Sequence, residues 1–308
     1  MEAVLFIGHG SRDFEGNEEV RQFVEKMRTL LPETLLVETS FLEFERPTIA
    51  DGIDTCIEKG AHHIILIPIM LLPAGHSKIH IPGAIDEARE KYPNTKFTYG
   101  RPIGIHEETF EILNTRLKES GENLESPGEE TAVILLGRGG SDADANSELY
   151  KITRLLWEKT NYKLVETSFM GVTDPLIEQG VERCIKLGAK KIVVLPYFLF
   201  TGILIKRLEK LVEGFKEKYP EVEFKLAQYF GLHPKLQTIL KDRVEEALEG
   251  EVKMNCDTCL YRIEAMEHID HHHHHDHDND HGHHHHHDHE HGHHHHHHED
   301  DEKAGVLK

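Results

Sequence analysis

The chain has 308 residues and a formal net charge of −20, from 55 acidic against 35 basic side chains. Residues 268–308 supply −8 of that and the rest carries −12, so a nucleic-acid surface is not expected, and an acidic small ligand must find local basic groups. No apolar stretch approaches the roughly 18 residues of a membrane span, and Met1-Glu2-Ala3-Val4 lacks the basic start of a signal peptide, so no membrane partner and a cytoplasmic location are expected.

In chain order, Ala3–Gly8, Leu35–Phe41, Ile64–Met70 and Lys96–Tyr99 are short apolar runs rich in β-branched and aromatic residues. Between them Asn17–Leu31, Thr48–Lys59, Ile81–Lys91 and Glu107–Lys118 carry helical spacing with charged faces. Runs such as Ile64-Ile65-Leu66-Ile67 are apolar on both faces, which suits a parallel sheet covered by helices.

The chain then repeats itself. Val37-Glu38-Thr39-Ser40-Phe41 recurs as Val165-Glu166-Thr167-Ser168-Phe169, and Pro47, Cys56 and Pro68 recur as Pro175, Cys184 and Pro196, all at an offset of 128. Ile7-Gly8-His9-Gly10-Ser11 aligns with Leu136-Gly137-Arg138-Gly139 at 129, with Gly140 read as an insertion before Ser141; Glu90-Lys91-Tyr92-Pro93 recurs at 127. A period this long means a duplicated domain, because solenoid repeats run about 20 to 50 residues. The expected fold is α/β, two tandem doubly wound parallel-sheet domains at 1–120 and 129–250, joined by a polar linker near Glu119 to Glu130.

Residues 251–308 read differently. Cys256 and Cys259 supply two thiolates, half of a four-cysteine set, and completing it would need a second chain, as in a homodimer, or a ligand such as His268. From His271 to His298 the chain is mostly histidine, broken by Asp276, Asp278, Asp280, Gly282, Asp288, Glu290 and Gly292, unlike a uniform purification tag. Such a segment cannot bury enough surface to fold, so a disordered metal reservoir is expected, with His271, His277, His283 and His293 among its ligands. Imidazole suits divalent cobalt, nickel, zinc and copper.

In doubly wound sheets ligands bind beyond the carboxyl ends of the strands, so Gly8–Arg12, Leu42–Arg46 and Leu71–His80 are expected to meet at one cleft. The duplication acts as an internal control on those loops. His9 corresponds to Arg138, Glu43 to Gly171 and His76 to Leu204, so three potential metal ligands of the first copy are all absent from the second. Two imidazoles and a carboxylate can hold a divalent ion with coordination positions left open. Each alone reads as a helix cap or a partly buried histidine. His80, opposite Leu208, could orient a ligand or accept a proton, or simply face solvent. His106 and His233 occur in both copies and are expected to be structural, and His62 and His63 to be solvent-exposed.

Phe6-Ile7-Gly8-His9-Gly10-Ser11-Arg12, Phe41-Leu42-Glu43, Pro47-Thr48-Ile49 and Pro68-Ile69-Met70-Leu71-Leu72-Pro73-Ala74-Gly75-His76-Ser77-Lys78 resemble the class II tetrapyrrole chelatases. Within that family the likeness is to the long-form sirohydrochlorin cobaltochelatases, and it extends through about residue 250 into the Met-x-Cys-x-x-Cys and the histidine tail. The resemblance implies ATP-independent insertion of Co²⁺ into sirohydrochlorin with release of two protons, in cobalamin biosynthesis. It implies that His9 and His76 hold the ion and can also accept protons, that Glu43 completes the site or accepts a proton, and that Cys256 and Cys259 hold an iron–sulfur centre of the [4Fe-4S] type. Gly8, Gly10 and Gly75 would admit a flat macrocycle, and Ser11, Arg12, Arg46 and Lys78 would contact its carboxylates, with a solvated loop charge as the alternative for each. Two rival readings remain: a ferrochelatase or nickelochelatase of the same fold, and a metal chaperone or buffer that performs no chemistry.

Overall fold

A computed structural model describes residues 1–250. Cys256, Cys259, His268 and the tail histidines, including His271, His277, His283 and His293, lie outside the described residues. The first copy runs β1 (Glu2–Gly8), α1 (Phe14–Arg28), β2 (Leu36–Phe41), α2 (Ile49–Glu58), β3 (His63–Pro68), a π-helical turn (His76–His80), α3 (Ile81–Lys91), β4 (Lys96–Tyr99) and α4 (Glu107–Glu119). The second runs β5 (Thr131–Gly137), α5 (Ala143–Glu158), β6 (Leu164–Phe169), α6 (Ile177–Lys186), β7 (Lys191–Pro196), α7 (Ile203–Lys218), β8 (Glu223–Leu226) and α8 (Pro234–Glu249).

Each copy builds a parallel sheet, in the order β2-β1-β3-β4 and β6-β5-β7-β8. Alternation along the strands sorts their side chains into separate cores. Ala3, Leu5 and Ile7 of β1 pack with Ile49, Ile53 and Cys56 of α2 and Ile81 and Ile85 of α3. Val4 and Phe6 point the other way, into a central core that also takes Val133 and Leu135 of β5 and the apolar faces of α1, α4, α5 and α8. The second sheet has its own outer core against α6 and α7. The central core is therefore common to both copies.

The last helices are exchanged. α4 packs against β7 of the second sheet, α8 packs against β3 of the first, and the two touch each other. Arg116 on α4 donates to the Phe230 carbonyl at 2.5 Å, and its counterpart Arg243 on α8 donates to the Ile103 carbonyl at 2.7 Å and the Pro102 carbonyl at 3.1 Å. The exchange gives the molecule an internal pseudo-twofold relation.

Local chemistry sets the helix starts. Thr48 and Asp51 form a reciprocal capping box on α2, and Asp13 and Asp142 cap α1 and α5. His106 and His233 cap α4 and α8 by accepting the backbone N–H two residues on. Two expectations are corrected. His63 is 5% exposed rather than solvated, because it lies in β3 with its ring nitrogens 2.8 Å from Glu2 Oε1 and 2.9 Å from Thr98 Oγ1. Gly140 is not an insertion: Asn146 holds its N–H and carbonyl as Asn17 holds those of Ser11, so Ser11 and Gly140 are equivalent.

Candidate functional site

β1 lies between β2 and β3, so the loops leaving the carboxyl ends of these three strands emerge side by side. The β1–β2 ladder continues past the strands, with Leu42 donating to the Gly8 carbonyl at 2.9 Å and Glu43 to that of His9 at 3.1 Å. This brings His9 Nδ1 to 3.6 Å from Glu43 Oε1, each side chain about a third exposed. His9 Nδ1 is also 3.1 Å from the Gly10 carbonyl, which suits Nδ1 as the protonated nitrogen and leaves Nε2 with the lone pair. Arg138 donates to that Nε2 at 3.3 Å.

Gly10 is required here for a protein contact. Its φ is +86°, and a Cβ would lie 1.7 Å from the Glu43 carbonyl oxygen. A Cβ on Gly8 would press on Val20 and Phe41. At both glycines the protein's own segments come close enough to leave no room for a side chain. Gly139 in the second copy repeats the arrangement, with a Cβ 2.0 Å from the Gly171 carbonyl.

Gly75 precedes the π-helical turn that His76 begins. Ser77 Oγ donates to the Ala74 carbonyl and Tyr99 OH to the Ser77 carbonyl, 2.9 and 2.8 Å away. The corresponding second-copy residues, Leu204–Leu208, lie inside the regular helix α7. The turn is therefore peculiar to the first copy. Among the described residues no cluster of three or more His, Cys, Asp or Glu side chains is assembled; the fold brings His9 and Glu43 together as a pair.

The other candidates have distinct placements. Ser11 Oγ accepts the Asp13 N–H, and the exposed Arg12 stacks over Phe44, its guanidinium carbon 4.8 Å from the ring centroid. Arg46 is 80% exposed and pairs with Asp51 at 3.0 Å. His80 ends the turn with an exposed side chain. Lys78, expected as a contact for a ligand carboxylate, is enclosed and paired within the protein. Its ammonium is 2.7 Å from Asp142, the cap of α5, with side chains only 7% and 4% exposed.

That pair has a symmetry mate. Lys206, the counterpart of Lys78, lies 2.7 Å from Asp13, the cap of α1, and also 2.7 Å from Glu15. The partnership holds the Asp13 carboxyl below its usual range and lifts the Lys206 ammonium above its own. Sequence reasoning missed both links. The signal was present in the duplication, since Lys and Asp recur at matching offsets, but nothing in one copy alone says that they meet across copies.

The CbiX family model matches residues 3–120 and again residues 132–247. The chain belongs to the CbiX family. It is 72% identical over 272 residues to the sirohydrochlorin cobaltochelatase of Priestia megaterium, covering 88% of each protein. It is 36% identical over 251 residues to the sirohydrochlorin ferrochelatase of the same organism, covering 82% of this chain and 92% of that one. Among solved structures, SirB from Bacillus subtilis with Fe³⁺ is 34% identical with a TM-score of 0.71, covering 81% of this chain and 97% of that one. The sirohydrochlorin chelatase SirB from B. subtilis subspecies spizizenii in complex with cobalt is 32% identical with a TM-score of 0.69, covering 80% and 95%. The fold described above is thus the CbiX chelatase fold, present as two parallel-sheet α/β copies. No helix of this CbiX chain among the described residues is long and apolar enough to cross a membrane.

Proposed function

We propose that this chain is a sirohydrochlorin cobaltochelatase of cobalamin biosynthesis, a metal-insertion lyase that works without ATP. The observation that carries this reading is the 72% identity to the P. megaterium cobaltochelatase across 88% of both chains. The site belongs to the first copy, where His9 and Glu43 meet beside the strand whose loop carries His76. The second copy offers Arg138, Gly171 and Leu204 instead and forms a wall of the cleft.

Metallation requires Co²⁺ to shed water, reach the pyrrole nitrogens and displace two N–H protons. His9 Nε2, His76 and Glu43 take the ion as substrate and release it, because two imidazoles and one carboxylate bind it without closing its coordination sphere. Arg12 and Arg46 are exposed cations available to the macrocycle's carboxylates, with Ser11 in the same loop. The enzyme works in the cytoplasm.

The histidine tail stores metal for the site. Cys256 and Cys259 are read as ligands of an iron–sulfur centre, but Cys56 and Cys184 are buried in the outer cores, their thiols pushed up to about 12, and supply no further ligands. The two thiolates therefore need donors from a second chain or from His268, and no step of metallation depends on them.

Iron insertion is the second reading, favoured by the identity to the ferrochelatase and by the likeness to SirB with Fe³⁺. Rates with sirohydrochlorin and Co²⁺, Ni²⁺ or Fe²⁺ at equal buffered free metal separate the two. Cobalt is expected to be fastest, and a clear preference for Fe²⁺ would contradict the cobalt assignment. Truncation after Gly250 should spare turnover at saturating metal, whereas complete loss would favour a metal buffer.

A further inference from the structure

Glu19 and Glu148 are the same position in the two copies, one turn into α1 and α5. Glu19 is fully engaged, taking the Tyr229 hydroxyl at 2.7 Å and the Thr201 backbone N–H at 2.9 Å. The counterparts of Tyr229 and Thr201, at offsets of 127 and 128, are Pro102 and Pro73. Proline has neither a hydroxyl nor a backbone N–H. Facing the first copy, Glu148 has thus lost both donors, and its Oε2 is buried with no hydrogen-bond partner.

A buried carboxylate oxygen left unsatisfied is costly and calls for an explanation, a catalytic role being one. Glu148 is placed where such use is possible. Pro73 belongs to the loop that leads into the His76 turn, and Lys78 of that turn is held by Asp142, six residues before Glu148. Lys78, Lys151, Asp142, Asp144 and the buried Tyr197 hydroxyl are the titratable groups acting on it. Burial raises the Glu148 carboxyl above its usual range, with the two lysines opposing, which improves it as a base near neutrality. Asp144, four residues earlier on the same helix face and 77% exposed, opens the way to solvent.

Resting on the chelatase reading, we infer that Glu148, contributed by the second copy, is the proton-accepting residue of the first copy's site. A pyrrole N–H bond breaks and a Glu148 O–H bond forms, while the electron pair stays on nitrogen and is donated to Co²⁺. The proton then passes by Asp144 to water, and the second follows by the same route. Nothing is oxidised or reduced.

The test uses the full chain, sirohydrochlorin and buffered Co²⁺ under anaerobic conditions from pH 6 to 9. Glu148→Gln is expected to lower kcat about 100-fold, to leave the KM for sirohydrochlorin within about two-fold, and to remove the acid limb of the kcat profile. Glu19→Gln should keep kcat and its acid limb and lose thermal stability. Pro102→Tyr, which gives Glu148 the phenol its counterpart has, should also lower kcat with little change in KM. Unchanged kcat and acid limb in folded Glu148→Gln would overturn the inference, as would unchanged kcat in Pro102→Tyr should the first variant fail to fold. Absence of turnover by the unaltered chain would overturn the chelatase reading as well, and is seen before any variant is compared.

Discussion

His9 and Arg138 are the same position in the two copies, and they meet, Arg138 Nη1 donating to His9 Nε2 across 3.3 Å. The pseudo-twofold relation brings the proposed metal ligand of the first copy against its counterpart in the second. A guanidinium there occupies the lone pair that a metal ion needs and repels the ion's charge. Removing it by Arg138→Leu should therefore tighten metal binding. At solvent-like screening the repulsion is about 1 kcal/mol, so the KM for buffered free Co²⁺ should fall about five-fold. A KM that rises instead would show that Arg138 aligns the imidazole more than it competes for it.

Gly10 and Gly139 give a paired prediction. A methyl group at either meets a neighbouring carbonyl inside 2.1 Å, at Glu43 and Gly171 respectively. Gly10→Ala and Gly139→Ala should each destabilise the fold by about 2 kcal/mol or more in urea unfolding, through the left-handed φ and the clash. Only Gly10→Ala should also raise the KM for Co²⁺, because only there does the displaced segment carry a proposed ligand, Glu43.

The Lys78–Asp142 pair is almost wholly buried, and its mate Lys206–Asp13 is more open. Lys78→Met leaves Asp142 charged and enclosed, which should cost about 3–5 kcal/mol. Lys206→Met should cost clearly less. The mate also has a defined pH range. The depressed Asp13 carboxyl stabilises the fold above its unfolded value and loses that contribution as pH falls through its folded one; the raised Lys206 ammonium stabilises below its unfolded value and loses its contribution at strongly alkaline pH. Unfolding midpoints of the two variants at neutral pH check the ordering.

His233 sets a pH dependence nearer neutrality. It caps α8 by accepting the Lys235 N–H, and burial, with the Arg116 guanidinium next, holds its imidazole below the usual range. The unfolded chain therefore takes up the proton first, and the contribution of neutral His233 is lost as pH falls from its unfolded value of about 6.5 through the lower folded one. His233→Asn keeps a capping oxygen that does not titrate. Its melting temperature should fall less steeply between pH 7 and 5 than that of the unaltered chain.

The parallel sheets were readable because Ala3–Ile7 and Ile64–Ile67 are apolar on both faces, and the duplication was readable because Val-Glu-Thr-Ser-Phe survives in both copies. The same duplication singled out His9 and Glu43, which the fold brings together. The exchange of α4 and α8 was not readable. An apolar helix face specifies that it is covered, without specifying which sheet covers it, and Arg116 and Arg243 look like ordinary surface charges until their carbonyl partners are known. The pairing of Lys78 was hidden for a related reason: the carboxylates of sirohydrochlorin suggest an anion contact for it, while its partner Asp142 lies in the other copy. His63 misled because its burial comes from Glu2 and Thr98 on the neighbouring strands.

The most direct measurement is the anaerobic absorbance of sirohydrochlorin mixed with Co²⁺, comparing the unaltered chain, His9→Ala, His76→Ala and the uncatalysed reaction. Rapid metallation by the unaltered chain, abolished by either substitution, is the predicted result. Metallation by the folded, unaltered chain no faster than the uncatalysed reaction, or full activity retained in both variants, would contradict a chelatase with its metal site in the first copy.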